Sequence, residues 1–188
     1  KSMPSKLPPL RIGKHEARYP IIQGGMGVRV SGAHLASAVA NEGGIGVVAS
    51  VALSLNSPYY SEKRDYFKGN KRALADELQL AREKSPDGII GVNCMVAISD
   101  YKHMVQTACA NGADVIISGA GLPLRLPEYA ADYPDVALVP IVSSLKAGQL
   151  LIRRWYKSYG RAPDALVVED TSKAGGHLGA SRDEVDKP

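Results

Sequence analysis

The sequence predicts an α/β protein in which a parallel sheet is covered by helices. Three observations carry that prediction. Six short apolar segments rich in β-branched residues alternate with five helical segments along 188 residues. The apolar segments are near-continuous rather than alternating, as strands buried on both faces are. Each one gives way to small or polar residues, chiefly glycine, serine and asparagine, before the next helix.

The first strand is expected at 21–23, after Pro20 and ended by Gly24-Gly25. Ser31 is expected to cap a helix through 34–40, which Asn41 and Gly43-Gly44 close. A second strand follows at 45–49. Residues 55–69, polar and rich in tyrosine, read as an excursion, an insertion spanning about 53–70. A helix at 71–84 then places Leu74, Leu78 and Ala81 on one face. Pro86-Asp87-Gly88 turns into the third strand at 89–96. The helix at 101–110 ends at Asn111-Gly112, and the fourth strand is 115–118. A short helix at 127–133, a strand at 137–142, a helix at 145–159 and a sixth strand at 165–169 complete the pattern. An open doubly wound sheet and a closed barrel both satisfy it, and periodicity does not choose between them.

Composition narrows the function classes. Apolar residues are 45% and charged residues 22%, and the net charge is +4. The 23 Lys and Arg are scattered, and the densest cluster, Lys63-Arg64 to Lys71-Arg72, is interrupted by Asp65. Without a basic face or interleaved aromatics, nucleic acid is not an expected partner. Cys94 and Cys109 are the only cysteines and the four histidines are far apart, so no metal site is expected. Two lone thiols, no apolar leader and no membrane-length apolar run point to a cytoplasmic protein.

Both architectures place chemistry at the carboxyl ends of the strands. Those ends read Gly24-Gly25-Met26-Gly27, Asn93-Cys94-Met95, Ser118-Gly119-Ala120-Gly121, Ser143-Ser144-Leu145-Lys146 and Ala174-Gly175-Gly176-His177. Glycines admit a flat ligand close to the backbone and expose N–H groups to it. A dinucleotide site fits poorly, because the third glycine of GxGxxG is missing and the second strand ends in Ala49-Ser50 without an acidic residue. Asn93 ends an apolar strand and needs a partner. Lys146 reads equally as a solvated helix-terminal lysine or as a positive charge beside an anionic ligand. Glu169, at the end of the sixth strand, is a ligand contact or a brace for the next loop. His177 lies among glycines on a loop, where an imidazole titrating near neutrality can accept a proton from a weak carbon acid. His15, His34 and His103 have ordinary settings: an N-terminal segment, a first helical turn and a helix surface.

The segments PIIQGGMG, NEGGIGVVAS, GVNCMVA, VIISGAGLP, VPIVSSLKAG and AGGHLG, in this order, resemble the nitronate monooxygenases. That resemblance implies an FMN-binding TIM (β/α)8 barrel, of which residues 1–188 supply about the first six β/α units. It implies that Gln23, Gly24, Gly25 and Met26 touch the flavin ring, that Asn93 contacts FMN, and that Ser118, Gly119, Lys146, Glu169, Gly175 and Gly176 line the same pocket. It makes His177 the catalytic base or anion partner in the oxidation of nitronates by O2 to carbonyl compounds and nitrite. An FMN- and NAD(P)H-dependent enoyl-acyl carrier protein reductase is the related alternative. A non-catalytic barrel fragment serving as an assembly module is the reading from a different class. Two departures stand out: Gly24-Gly25 where many members carry Ala-Pro, and Asp170-Thr171-Ser172-Lys173-Ala174 where many carry Glu-Ala or Glu-Ser before Gly-Gly-His. The family's phosphate loops follow strands seven and eight, so the chain is expected to be part of a longer protein. By itself it is expected to hold FMN weakly, with an open edge that invites association into homo-oligomers.

Overall fold

The computed structural model describes residues 7–27, 30–59, 66–170 and 172. A hairpin of β1 (Leu10–Ile12) and β2 (His15–Ala17) comes first, then helix α1 (Ala33–Asn41) and strand β3 (Ile45–Ala49). A 3-10 turn over Leu53–Asn56 precedes α2 (Tyr66–Lys84) and β4 (Ile89–Met95). Next come α3 (Tyr101–Ala110), β5 (Val115–Gly119), α4 (Leu126–Tyr129) and β6 (Ala137–Val142). The last two are α5 (Leu145–Tyr159) and β7 (Val167–Val168).

The sheet order is β3-β4-β5-β6-β7, every pair parallel. A doubly wound sheet reverses its strand order at a switch point and carries helices on both faces. Neither holds here. Alternate residues of each strand face two separate cores. Val48, Ile90, Val92, Ile116 and Leu138 pack against the helices, with Leu74, Met104, Leu151 and Trp155. Val47, Val115, Ile117, Ala137 and Val139 form the second core, which contains no helical residue. Strands in sequential order with helices on one side form a curled half-barrel, a fragment of the TIM barrel. That resolves the choice periodicity left open. Close contact between the layers depends on Gly46, where an added Cβ would lie 1.8 Å from the Ala36 carbonyl oxygen. Any side chain there would push α1 off the sheet.

The amino ends of the strands are tightly bonded. Asp114 accepts the Ile90 N–H at 2.9 Å and an Arg82 N–H at 2.7 Å. Arg82 also donates to the carbonyls of Pro86, Gly88 and Gly112. The device recurs two strands on, where Asp164 accepts the Leu138 N–H at 2.7 Å and lies 3.4 Å from Arg161, which donates to the Val136 carbonyl. The β1–β2 hairpin covers this end: Ile12 and Ala17 join the inner core, and Lys14 pairs with Asp135.

Several expectations are corrected in detail. The hairpin was not anticipated. The strand expected at 21–23 is a single parallel bridge, Ile22 to Ile45. The helix expected from 71 begins at Tyr66, because Asn70 is buried and anchors that turn: it accepts the Ser54 N–H and donates to Asp100. The short helix is Leu126–Tyr129, and the sixth strand is only Val167–Val168. Ser31 does not cap α1: Gly32 holds the cap position without a side-chain bond, and the Ala33 N–H donates to Glu77 at 2.6 Å. No described helix is long and apolar enough to cross a membrane.

Candidate functional site at the carboxyl ends of the strands

The parallel pairing brings the carboxyl ends of β3 to β7 to one side of the molecule, together with the 23–27 segment bridged to β3. Gln23 is held by a two-way amide contact: its Nε2 donates to the Val47 carbonyl at 2.9 Å, and its Oε1 accepts the Val47 N–H at 3.1 Å. The side chain thus substitutes for a strand ladder, and it sets where the glycines after it begin.

Gly24, Gly25 and Met26 are exposed. Gly24 borders open space, since an added Cβ would meet nothing within 4 Å. Gly25 is different. An added Cβ there would lie 2.5 Å from Asn93 Cβ, so only glycine lets this turn sit on the end of β4. Asn93 is itself fixed through its backbone, whose carbonyl accepts both the N–H and the hydroxyl of buried Ser50, at 3.1 and 2.9 Å. Its half-buried side-chain amide makes no hydrogen bond among the described residues. A primary amide held in place beside an exposed glycine turn, with donors and acceptor unused among the described residues, is suited to the polar edge of a planar ligand.

The strands sort the remaining candidates by parity. Gly119 falls on the inner face, where an added Cβ would lie 2.9 Å from Ile141 Cδ1. Ser118 falls on the helix side: its hydroxyl is buried, donates to the Cys94 carbonyl at 3.0 Å and bonds Tyr101 at 2.8 Å. Any contribution of Ser118 to a ligand would therefore come through its backbone. Beyond Gly119 the chain turns at Ala120, whose φ of 54° is an unusual conformation for a residue with a side chain. Lys146 is exposed in the first turn of α5, which Ser144 caps by accepting the Ala147 N–H. Glu169 is half-buried at the end of β7, and its N–H donates to the Val142 carbonyl. His177, Gly175 and Gly176 lie outside the described residues.

Three ionisable groups on the helix side are held protonated by burial. Burial pushes the Cys94 and Cys109 thiols up to about 12, and burial also raises Tyr101 above its ordinary value. These groups are packing residues at neutral pH. Sequence reading missed Ser50 and misassigned Ser31. The signal for Ser50 is a serine directly after an apolar strand, where its hydroxyl can reach the neighbouring strand.

The family model for nitronate monooxygenase matches residues 9–187. No curated protein matches the chain. Among solved structures, FabK from Thermotoga maritima is similar with a TM-score of 0.65 and 22% identity, over 87% of this chain and 44% of that one. A nitroalkane oxidase from Streptomyces ansochromogenes is similar with a TM-score of 0.60 and 15% identity, over 90% of this chain and 52% of that one. The chain thus spans about half the length of the structures it matches, and at these identities the likeness shows the fold.

Proposed function

The chain belongs to the nitronate monooxygenase family of FMN-dependent oxidoreductases, and from that premise we propose that its protein oxidises nitronates with O2 to carbonyl compounds and nitrite. One observation carries the reading. The Asn93 amide, without a hydrogen bond among the described residues, stands against the Gly25 turn, at the end of the sheet where TIM barrels hold their ligands. These residues fit the ring of FMN: a flat exposed backbone at Gly24-Gly25 for its face and an amide for its polar edge. Bound FMN would supply the electron acceptor and the site of reaction with O2.

The chain's own residues bind and orient. Gln23 holds the glycine turn to β3, Ser50 holds Asn93, and Gly119 keeps the end of β5 free of side-chain bulk. We assign His177 the proton-accepting or anion-binding role, on its sequence setting between Gly175-Gly176 and Gly179. Lys146 and Glu169 stand at the same ends of the strands and are assigned to the pocket rim.

A second reading, an enoyl-acyl carrier protein reductase using FMN and NAD(P)H, is favoured by the likeness to FabK. Anaerobic mixing separates the two. Bleaching of the flavin by propionate 3-nitronate alone supports the monooxygenase. Rapid bleaching by NADPH alone moves the assignment to the reductase.

A further inference from the structure

Ser31 is 1% exposed and makes four hydrogen bonds around one turn. Its hydroxyl accepts the Met26 N–H at 3.0 Å and donates to the Gly24 carbonyl at 3.1 Å. Its own N–H donates to the Met26 carbonyl at 3.0 Å, and its carbonyl accepts the N–H of Ala49, the last residue of β3, at 2.9 Å. A serine so close to a helix start ordinarily caps the helix. Here Glu77 reaches across from α2 to accept the Ala33 N–H, which leaves the serine hydroxyl for the turn.

The two hydroxyl bonds fall on residues 24 and 26, on either side of Gly25, whose own position is too close to Asn93 to admit a Cβ. Because the hydroxyl occupies the Met26 N–H, that donor is not offered to a ligand. Among the described residues the Gly25 N–H and the Asn93 amide have no such partner.

We infer that Ser31 is a positioning residue for the cofactor: its hydroxyl fixes the Gly24-Gly25-Met26 turn in the conformation that receives the flavin ring. The inference rests on the FMN reading above. Without the hydroxyl the turn must be ordered when FMN binds, and that ordering is charged against affinity.

The test uses the whole protein, stripped of and then titrated with FMN, as wild type, Ser31→Ala and Ser31→Cys. Cysteine keeps the volume but is a weak hydrogen-bonding group, so it reports on the bonds if alanine disturbs packing. Both variants are expected to unfold cooperatively, to bind FMN about tenfold more weakly, and to shift the visible flavin absorbance. Exchange of the Met26 amide with solvent should accelerate in both variants, with or without FMN. Variants with wild-type FMN affinity and spectrum but lowered thermal midpoints would overturn the inference and leave Ser31 a brace of the fold. A wild-type protein that takes up no FMN would overturn the functional reading itself, and the inference with it.

Discussion

The two ends of the half-barrel are built from the same strands and treated in opposite ways. At the amino ends, Asp114 and Asp164 each tie a strand N–H to an arginine, and a hairpin covers the inner core. At the carboxyl ends, glycines replace side chains, Asn93 keeps its amide unbonded among the described residues, and Met26 and Leu145 are 61% and 77% exposed. Satisfied charge and covered apolar surface serve stability, whereas exposed apolar surface and unused polar groups serve a ligand. Damage to the first end should thus lower stability, and damage to the second should lower binding or turnover.

The sharpest way to break that comparison is Asp114→Ala. It deprives the Ile90 N–H of its acceptor and Arg82 of its counter-charge, and should lower unfolding free energy by about 2 to 3 kcal/mol in urea. A loss below about 0.5 kcal/mol, the usual scale of an ordinary surface substitution, would mean that the amino ends are not the stabilising end. His177→Ala is next. Turnover of nitronate should fall by about 100-fold, the lower end of general acid–base contributions, with the thermal midpoint unchanged. Unchanged turnover would remove the histidine from the chemistry.

Asn93→Ala sharpens the contrast further. FMN affinity should weaken by about tenfold for the lost amide contact. Stability should move by less than about 1 kcal/mol, because the Asn93 backbone and its bonds from Ser50 remain. A large stability loss with intact FMN binding would make Asn93 a structural residue. The smallest effect concerns the helix layer. Cys94 and Cys109, buried and raised to about 12, should stay unlabelled by an aromatic disulfide at pH 8 until denaturant is added. Their unfolded thiols ionise near the ordinary value, so labelling should appear together with unfolding. Labelling of the folded protein would show that the layer between sheet and helices opens.

Much of the candidate site was legible because each residue sits where an apolar run gives way to glycine or a polar residue. Gly25 and Asn93 were both readable in this way, although their contact was not: they are far apart in sequence and meet only because β3 and β4 pair in parallel. Ser118 shows the limit. Its position at the end of a strand was correct, but a one-residue difference in parity places its hydroxyl against Tyr101 rather than the inner face. The hairpin escaped notice because its strands have three residues each, too few for alternation to register, although the Gly13-Lys14 loop between them is a turn signal. A local rule assigns a serine near a helix start, such as Ser31, to its cap, whereas the acceptor for the Ala33 N–H is Glu77, 44 residues beyond Ala33.

Local chemistry in the sequence by itself determined the alternation of strands and helices, the helix faces through Leu74, Leu78 and Ala81, and the glycine-lined strand ends. These depend on neighbours within a few residues, where side-chain spacing and backbone freedom act directly. Tertiary structure decided the sheet order, the single helical face among the described residues, the orientation of Ser118, the bonds of Ser31 to the 24–26 turn and the close approach of Gly25 to Asn93. Those outcomes depend on which distant segments pair and in what register, and a hydrogen bond across strands leaves no mark in the spacing of residues along one chain.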